Sequence, residues 1–418
     1  MWQYQNTVLI YISDEFQYKP SVAACGLIRT IIKKTGKGAT EEWNIANDTY
    51  MKKFKTIHDS GGSIVFISNQ MDTLHINTIK SRFNKFIEKF TYVEETTEDK
   101  NQDIPNTQTK HIPVMAIFST KKNCFTKPFT NLWKVMGFMY QIKKLPPPDL
   151  KMSIYIGRCD GGIYVANKGT ESNVYTKKFF KCRTDIDRAF AHNVGVQFVS
   201  QTQFFYDKPE PKWKWCPILM DPDTRMKYIK DHKNDTEPNM ADIINEKKYL
   251  IIIMGMPSSG RSTLIKRIVD DTFDKTKDAN EPHIIHITKT KHMYKTYSKK
   301  LTKCIHDAIY EKTTIIKLDY SDYKHRNILI AIAREYEVPV LIINLTTDIN
   351  ICKILNYTKV QTSSNFNLGV HSRTTYAEWE KQYEVPIYYP DSDKDITVIE
   401  YPMVLRFRKE LKFHYSPI

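Results

Sequence analysis

The sequence predicts an α/β protein built from two doubly wound parallel-sheet domains. Three observations predict it: short apolar runs rich in β-branched residues, helix-patterned stretches between them, and a glycine-rich loop set between a strand and a helix. In the first half the runs are 7–12, 63–67, 114–118 and 153–156. Each is continuous and bounded by polar or turn residues, the pattern of a parallel strand buried on both faces. Between them, 77–90 carries Ile79, Phe83, Phe86, Ile87 and Phe90 on one helical face. The polar stretch 94–110 reads as a surface insertion.

Residues 207–247 contain Pro209, Pro211, Pro217, Pro222 and Pro238 without strong periodicity, so they are expected to connect domains, with Trp213 and Trp215 as an anchor. A second α/β unit opens with the apolar run 249–254 and continues through strands at 283–287, 314–318 and 338–345. The expected division is a first domain at 1–206, a connector at 207–247 and a second domain at 248–418.

Composition narrows the function classes. The chain has 418 residues and 62 Lys+Arg against 47 Asp+Glu, a formal net charge of +15. That balance favours a polyanionic partner such as nucleic acid, although a Lys- and Asn-rich composition produces it without one. No apolar run approaches the roughly 20 residues that span a bilayer, so no membrane role is expected. The N-terminal run lacks a basic flank and a small-residue cleavage site, so secretion is not expected either. Seven scattered cysteines without a CxxC pair give no disulfide framework and no metal site. The expected location is intracellular, in nucleus or cytoplasm.

The loop 255–263 (GMPSSGRST) follows an apolar strand and precedes a helix start at 264–269. This is the context of a phosphate-binding loop, where glycines let successive backbone N–H groups and a helix N-terminus face a phosphate. Gly255, Ser258, Ser259, Gly260, Arg261, Ser262 and Thr263 are the candidate binding residues for ATP, with Ser262 or Thr263 offering a hydroxyl to Mg²⁺. Arg261 stands where lysine is expected, and a planar guanidinium does not replace a compact ammonium on the β- and γ-phosphates. The same pattern also fits a loop that no longer binds nucleotide.

Several segments taken in order resemble the bifunctional polynucleotide kinase 3′-phosphatases, which join a haloacid-dehalogenase-type phosphatase to a P-loop kinase. They are 64–70 (IVFISNQ), 112–120 (IPVMAIFST) with 126–133 (TKPFTNLW), 153–157 (SIYIG), 187–195 (DRAFAHNVG) with Phe204 and Phe205, 381–386 (KQYEVP) and 398–402 (VIEYP). The resemblance covers about residues 7–405.

The resemblance implies chemistry that this sequence departs from. The family's phosphatase uses an Asp-x-Asp pair after its first strand, one aspartate as nucleophile and one as general acid/base. The stretch set against it here is 11–16 (YISDEF). One register gives Ile12 and Asp14, the other Asp14 and Phe16, and neither gives two aspartates. Gly157-Arg158 replaces the Mg²⁺-binding Gly-Asp, with Asp160 two positions on, and the following acidic position falls near Cys182, with Asp185 displaced. Asp14, Ser68 and Lys127 are read as phosphate-contact remnants.

The kinase half departs too. The family's general-base aspartate has no counterpart in 286–290 (HITKT), where Lys289 is a poor base. Lys317 occupies an acidic position, which Asp319 or Asp322 could partly restore by a shifted loop. Tyr357 and Lys359 stand at arginine positions of the lid helix, and Arg326 and Arg373 are candidate phosphate contacts or solvated helix-face charges.

The leading expectation is a pseudoenzyme without catalytic or metal-ligating residues. It would serve as a nucleic-acid-associated or scaffold subunit, in a complex with other proteins, in replication, repair or transcription. The Lys/Asn/Ile-rich composition extends that expectation to a viral source. The alternatives are an ATP-dependent polynucleotide 5′-hydroxyl kinase with a variant loop, and a plain nucleic-acid-binding module.

Overall fold

The computed structural model describes residues 1–36, 41–70, 75–96, 106–159, 163–168, 176–181, 184–213, 215, 222–231, 238–244, 248–273, 282–287, 299–319, 322–366, 368–388 and 393–402. These form two compact units, the first from Met1–Pro222 with Lys359–Val370, the second from Asp223–Thr358 with 371–402. The class is mixed α/β with parallel sheets in both units. No helix among the described residues is long and apolar enough to cross a membrane.

The first unit runs β1 (Trp2–Gln5), β2 (Val8–Ile12), β3 (Val22–Gly26), β4 (Ile32–Thr35), β5 (Glu42–Ile45), α1 (Thr49–Asp59), β6 (Ser63–Asn69), α2 (Ile76–Glu88), β7 (Thr91–Thr96), β8 (Asn106–His111), β9 (Val114–Ser119), α3 (Asn131–Ile142), β10 (Ile154–Gly157), β11 (Ile163–Lys168), β12 (Thr176–Lys181), α4 (Ile186–Val194), β13 (Gln197–Ser200) and α5 (Gln201–Tyr206). Its sheet has the order β1-β2-β9-β6-β3-β10-β13. From β9 to β13 all neighbours are parallel, whereas β2 is antiparallel to β1 and β9. The run at 7–12 was expected to be a parallel strand; an apolar run encodes burial but not direction. The expected helix at 77–90 is α2, and Phe83, Phe86 and Phe90 pack edge-on around Phe66.

The centre of this sheet is β3, which the apolar-run criterion passes over. Its sequence, Val-Ala-Ala-Cys-Gly, is buried throughout but carries one β-branched residue. Small side chains suit a strand covered on both faces, and they leave no propensity signal. The stretch expected to be a surface insertion contributes the antiparallel ribbon β7–β8, and its middle, 97–105, lies outside the described residues.

The chain continues through α6 (Pro222–Asp231), α7 (Met240–Ile243), β14 (Leu250–Gly255), α8 (Arg261–Thr272), β15 (His283–Ile287), α9 (Lys299–Glu311), β16 (Thr314–Leu318), α10 (Tyr323–Glu335), β17 (Val340–Leu345), α11 (Ile349–Thr362), α12 (Arg373–Gln382) and β18 (Ile396–Tyr401). The stretch read as a connector therefore holds two helices. Met240 and Ile244 are buried with Leu264, Ile265 and Ile268 of α8, so its far end is core rather than tether. Trp213 and Trp215 do anchor in the first unit: Trp213 lies under Arg188 at 3.9 Å, and Trp215 packs edge-on to His192.

The second sheet is entirely parallel, in the order β15-β16-β14-β17-β18. Alternate residues of β14 enter two cores, Leu250, Ile252 and Met254 on one face, Ile251 and Ile253 against α8 on the other. With later strands on both sides of β14, its carboxyl end is the switch point where open α/β sheets bind ligands.

Candidate functional site

Two sheet edges gather the chemistry-bearing side chains. In the first unit the carboxyl ends of β6, β3 and β10 lie side by side; Lys127 and Asp187 meet there, with Ser68 near the end of β6. Lys127 Nζ donates to Asp187 Oδ1 at 2.6 Å and to the Tyr155 hydroxyl at 2.8 Å. That hydroxyl donates to the same carboxylate oxygen at 3.2 Å, and the Cys159 backbone N–H to the other oxygen at 3.0 Å. Lys127 is 5% exposed and Asp187 4%, so this is a water-excluded ion pair. Ser68 Oγ accepts from Gln70 Nε2 at 2.9 Å. Burial, followed by the Asp187 charge, pushes both the Tyr155 hydroxyl and the Cys25 thiol well above their ordinary range.

The strand between the Ser68 strand and the Gly157 strand is β3, and it ends in Gly26-Leu27-Ile28. No carboxylate stands there. A Cβ added at Gly26 would lie 2.9 Å from Thr30 Oγ1 and 3.5 Å from Asp187 Oδ2; one added at Gly157 would lie 2.5 Å from Asp187 Cβ. Asp187 thus takes up the space beside β3 and supplies the negative partner for Lys127.

Asp14 does not join this cluster. Because β2 runs antiparallel to β9, its end lies at the opposite edge of the sheet from the ends of β3 and β6. The Asp14 side chain is 97% exposed, 4.0 Å from the N-terminal amine. The register built on 11–16 is therefore replaced by one through β3, which also lacks both aspartates. Asp185 is buried just ahead of α4, while Asp160 and Cys182 lie outside the described residues.

The second edge is the loop after β14. Gly255 has φ +155°, and a Cβ there would lie 2.7 Å from Ser259 Oγ and 2.9 Å from Leu345 Cβ. Gly260, at φ +105°, starts α8, and Ser258 takes φ +64°. The bend is closed by the Ser259 N–H donating to Met256 O at 3.0 Å and by Thr347 Oγ1 donating to Ser259 O at 3.0 Å. Ser259 Oγ is buried and has no hydrogen-bond partner among the described residues. Ser262 and Thr263 are exposed on the first turn of α8. The cradle, the orphaned hydroxyl and the helix start fit an anionic phosphate group, and the first-turn hydroxyls could serve a divalent cation.

Arg261 is 7% exposed. Its guanidinium donates to the Leu318 carbonyl and pairs with Asp319 Oδ1 at 3.0 Å. Burial draws its pKa down, and Asp319 opposes that shift. The same Asp319 oxygen lies 3.0 Å from His286 Nε2 at the end of β15. Of the two carboxylates that could replace the lost acidic position, Asp319 is at the edge. Asp322 instead caps α10, accepting from the His325 N–H at 2.9 Å. Arg326 is fully buried and donates to Glu384 O at 2.9 Å, which fixes it inside the fold. Tyr357 is buried, and the side chain of Arg373 lies outside the described residues, as does Lys289.

Sequence reasoning did not find Gly26, Asp187 or the His286–Asp319 pair as functional positions. Only the sheet order identifies the first, and the other two depend on contacts between residues far apart in the chain.

Residues 22–205 match the family model described as polynucleotide kinase 3 phosphatase, and residues 249–399 match that described as chromatin associated protein KTI12. The chain is 22% identical over 351 residues to the bifunctional polynucleotide phosphatase/kinase of Schizosaccharomyces pombe, covering 82% of this chain and 72% of that one. The chain is thus similar to bifunctional polynucleotide phosphatase/kinases at low identity, with a phosphatase-like segment followed by a P-loop kinase-like segment. A protein of Acanthamoeba polyphaga mimivirus, provisionally given the same description, is 23% identical over 258 residues, 59% of this chain and 56% of that one. Among solved structures, Chaetomium thermophilum Kti12 in complex with ADP-AlF3 is 14% identical, covers 36% of this chain and 88% of that one, and has a TM-score of 0.26.

Proposed function

We propose that this protein has a silent phosphatase half and a kinase half that transfers phosphate from ATP to the 5′-hydroxyl end of a nucleic acid. The observation that carries the reading is the contrast at Asp319. It joins the loop cation Arg261 to an accessible imidazole, whereas the corresponding edge of the first unit has glycine at the nucleophile position. An aspartyl-phosphate requires a carboxylate at the end of β3, and Gly26 and Ile28 supply none.

In this reading the backbone N–H groups of Ser258, Gly260 and Arg261 would hold the triphosphate, since Pro257 has none and that of Ser259 is spent on Met256 O. Ser262 or Thr263 would help hold a Mg²⁺ ion, which when bound neutralises phosphate charge. Arg261 keeps a positive charge at the base of the loop and ties α8 to the end of β16. The net charge of +15 supports a polyanionic acceptor. Nucleic acid is the substrate partner; further protein subunits and a nuclear or cytoplasmic location belong to the same proposal.

The test is transfer of labelled γ-phosphate to a 5′-hydroxyl oligonucleotide with Mg²⁺, beside release of phosphate from a 3′-phosphate oligonucleotide. Transfer that Arg261→Ala abolishes and Arg261→Lys retains, without 3′-phosphate release, is expected. Absence of transfer at high protein concentration would overturn the kinase reading and leave a non-catalytic nucleic-acid-associated subunit. Release of 3′-phosphate would overturn the silent half.

A further inference from the structure

We infer that His286 is the proton acceptor for the attacking hydroxyl, oriented by Asp319; the inference rests on the kinase reading above. His286 sits at the carboxyl end of β15, in register with Lys317 of β16, which is in register with Ile253 of β14. All three therefore project on the sheet face that α8 covers, the face from which Arg261 reaches Asp319. The imidazole stands at the end of the strand after which the family places its base, where 286–290 has no carboxylate.

The geometry separates the two ring nitrogens. Nε2 is 3.0 Å from Asp319 Oδ1, so the carboxylate holds Nε2 as the protonated nitrogen and leaves the Nδ1 lone pair as acceptor. Nδ1 takes no hydrogen bond among the described residues, and the side chain is 44% exposed, open to a substrate. Asp319 also binds Arg261, so one carboxylate fixes the acceptor relative to the phosphate loop. A histidine serving only to brace β15 against β16 would need neither the open nitrogen nor that shared link.

The step balances without a further reactant. The hydroxyl proton passes to Nδ1 as its oxygen bonds to the γ-phosphorus. The bond from that phosphorus to the bridging oxygen breaks, ADP leaves with the electron pair, and the imidazolium returns its proton to water. Among the described residues the charged groups facing His286 are Asp319 and Arg261, with Lys317 beside it on β16. Protonation of the ring from solvent removes the acceptor, so transfer falls toward acid pH.

The experiment compares wild type with His286→Ala across pH, with and without added imidazole, while a fluorescent ATP analogue reports binding and ¹⁵N-histidine NMR reports the tautomer. Expected are a loss of transfer of about 100-fold or more, unchanged analogue binding, disappearance of the acid-side fall, partial recovery with imidazole, and an Nε2–H tautomer in the wild type. Equal rates and equal pH profiles would overturn the role of His286 while leaving the kinase reading intact. So would a dominant Nδ1–H tautomer. Wild-type protein that binds the analogue but transfers nothing would overturn the kinase reading itself, and the inference with it.

Discussion

The carboxyl edges of the two sheets dispose of their charges differently. At β3 a lysine and an aspartate neutralise each other where water cannot reach, with a tyrosine hydroxyl and a backbone N–H completing the shell. At β14 the loop holds a buried hydroxyl without a partner among the described residues, and its aspartate is 30% exposed and shared between a guanidinium and an imidazole. In the first arrangement the charged pair is satisfied internally, and the group left over among the described residues is the neutral Thr30 hydroxyl beside Gly26. The second leaves donors and an acceptor open. Whether an edge is open to a ligand is better judged from which of its charged groups have satisfied one another than from a count of matched residues.

The largest expected effect breaks the first edge. Lys127→Ala leaves the Asp187 carboxylate buried without its cation, and a lone partner of a buried pair costs about 3–5 kcal/mol. Chemical unfolding measures it, and the double variant Lys127→Met/Asp187→Leu should recover much of the loss. A change below about 1 kcal/mol in the single variant would mean that water reaches the pair after all.

The second edge should respond to Gly255→Ala. The added methyl meets Ser259 Oγ and Leu345 Cβ under 3 Å on a backbone of positive φ, a strain of about 1–3 kcal/mol. Binding of an ATP analogue should fall with it, because the bend aims the loop's N–H groups. Unaltered binding in this variant would detach the loop geometry from any nucleotide role.

The smallest effect leaves the fold intact and contrasts thiols at the two edges. Burial, then Asp187, pushes the Cys25 thiol well up, and burial, then Asp348, pushes Cys352 up to about 12. Only a thiolate alkylates, so at neutral pH Cys352 carries roughly a thousandfold less of the reactive form than an ordinary thiol. Mass spectrometry after brief iodoacetamide treatment should find exposed Cys304 modified before Cys25 and Cys352, which stay protected. Early labelling of Cys25 would show that the β3 edge opens.

What the sequence disclosed follows the range of each interaction. The strand–loop–helix turn at 255–263 was legible because its determinants lie within nine consecutive residues, and the strands at 63–67, 114–118 and 314–318 announce themselves by apolar runs. Direction and order are not written locally. The antiparallel course of β2 and the central place of β3 come from pairing across the sheet, and misplacing them attached the phosphatase chemistry to Asp14. The decisive side-chain pairs are equally non-local, Lys127 and Asp187 being 60 residues apart and His286 and Asp319 33.

The crowding around Gly26 bears on substitution there. A carboxylate placed at that position alone would press against Thr30 Oγ1 and face the Asp187 carboxylate beside it, while any side chain at Gly157 would run into Asp187 Cβ. A side chain at Gly157 therefore requires Asp187 to move, one at Gly26 requires Thr30 to yield, and moving Asp187 strands Lys127. Gly26, Gly157, Asp187 and Lys127 are thus bound in one packing unit, in which no position changes without its neighbours.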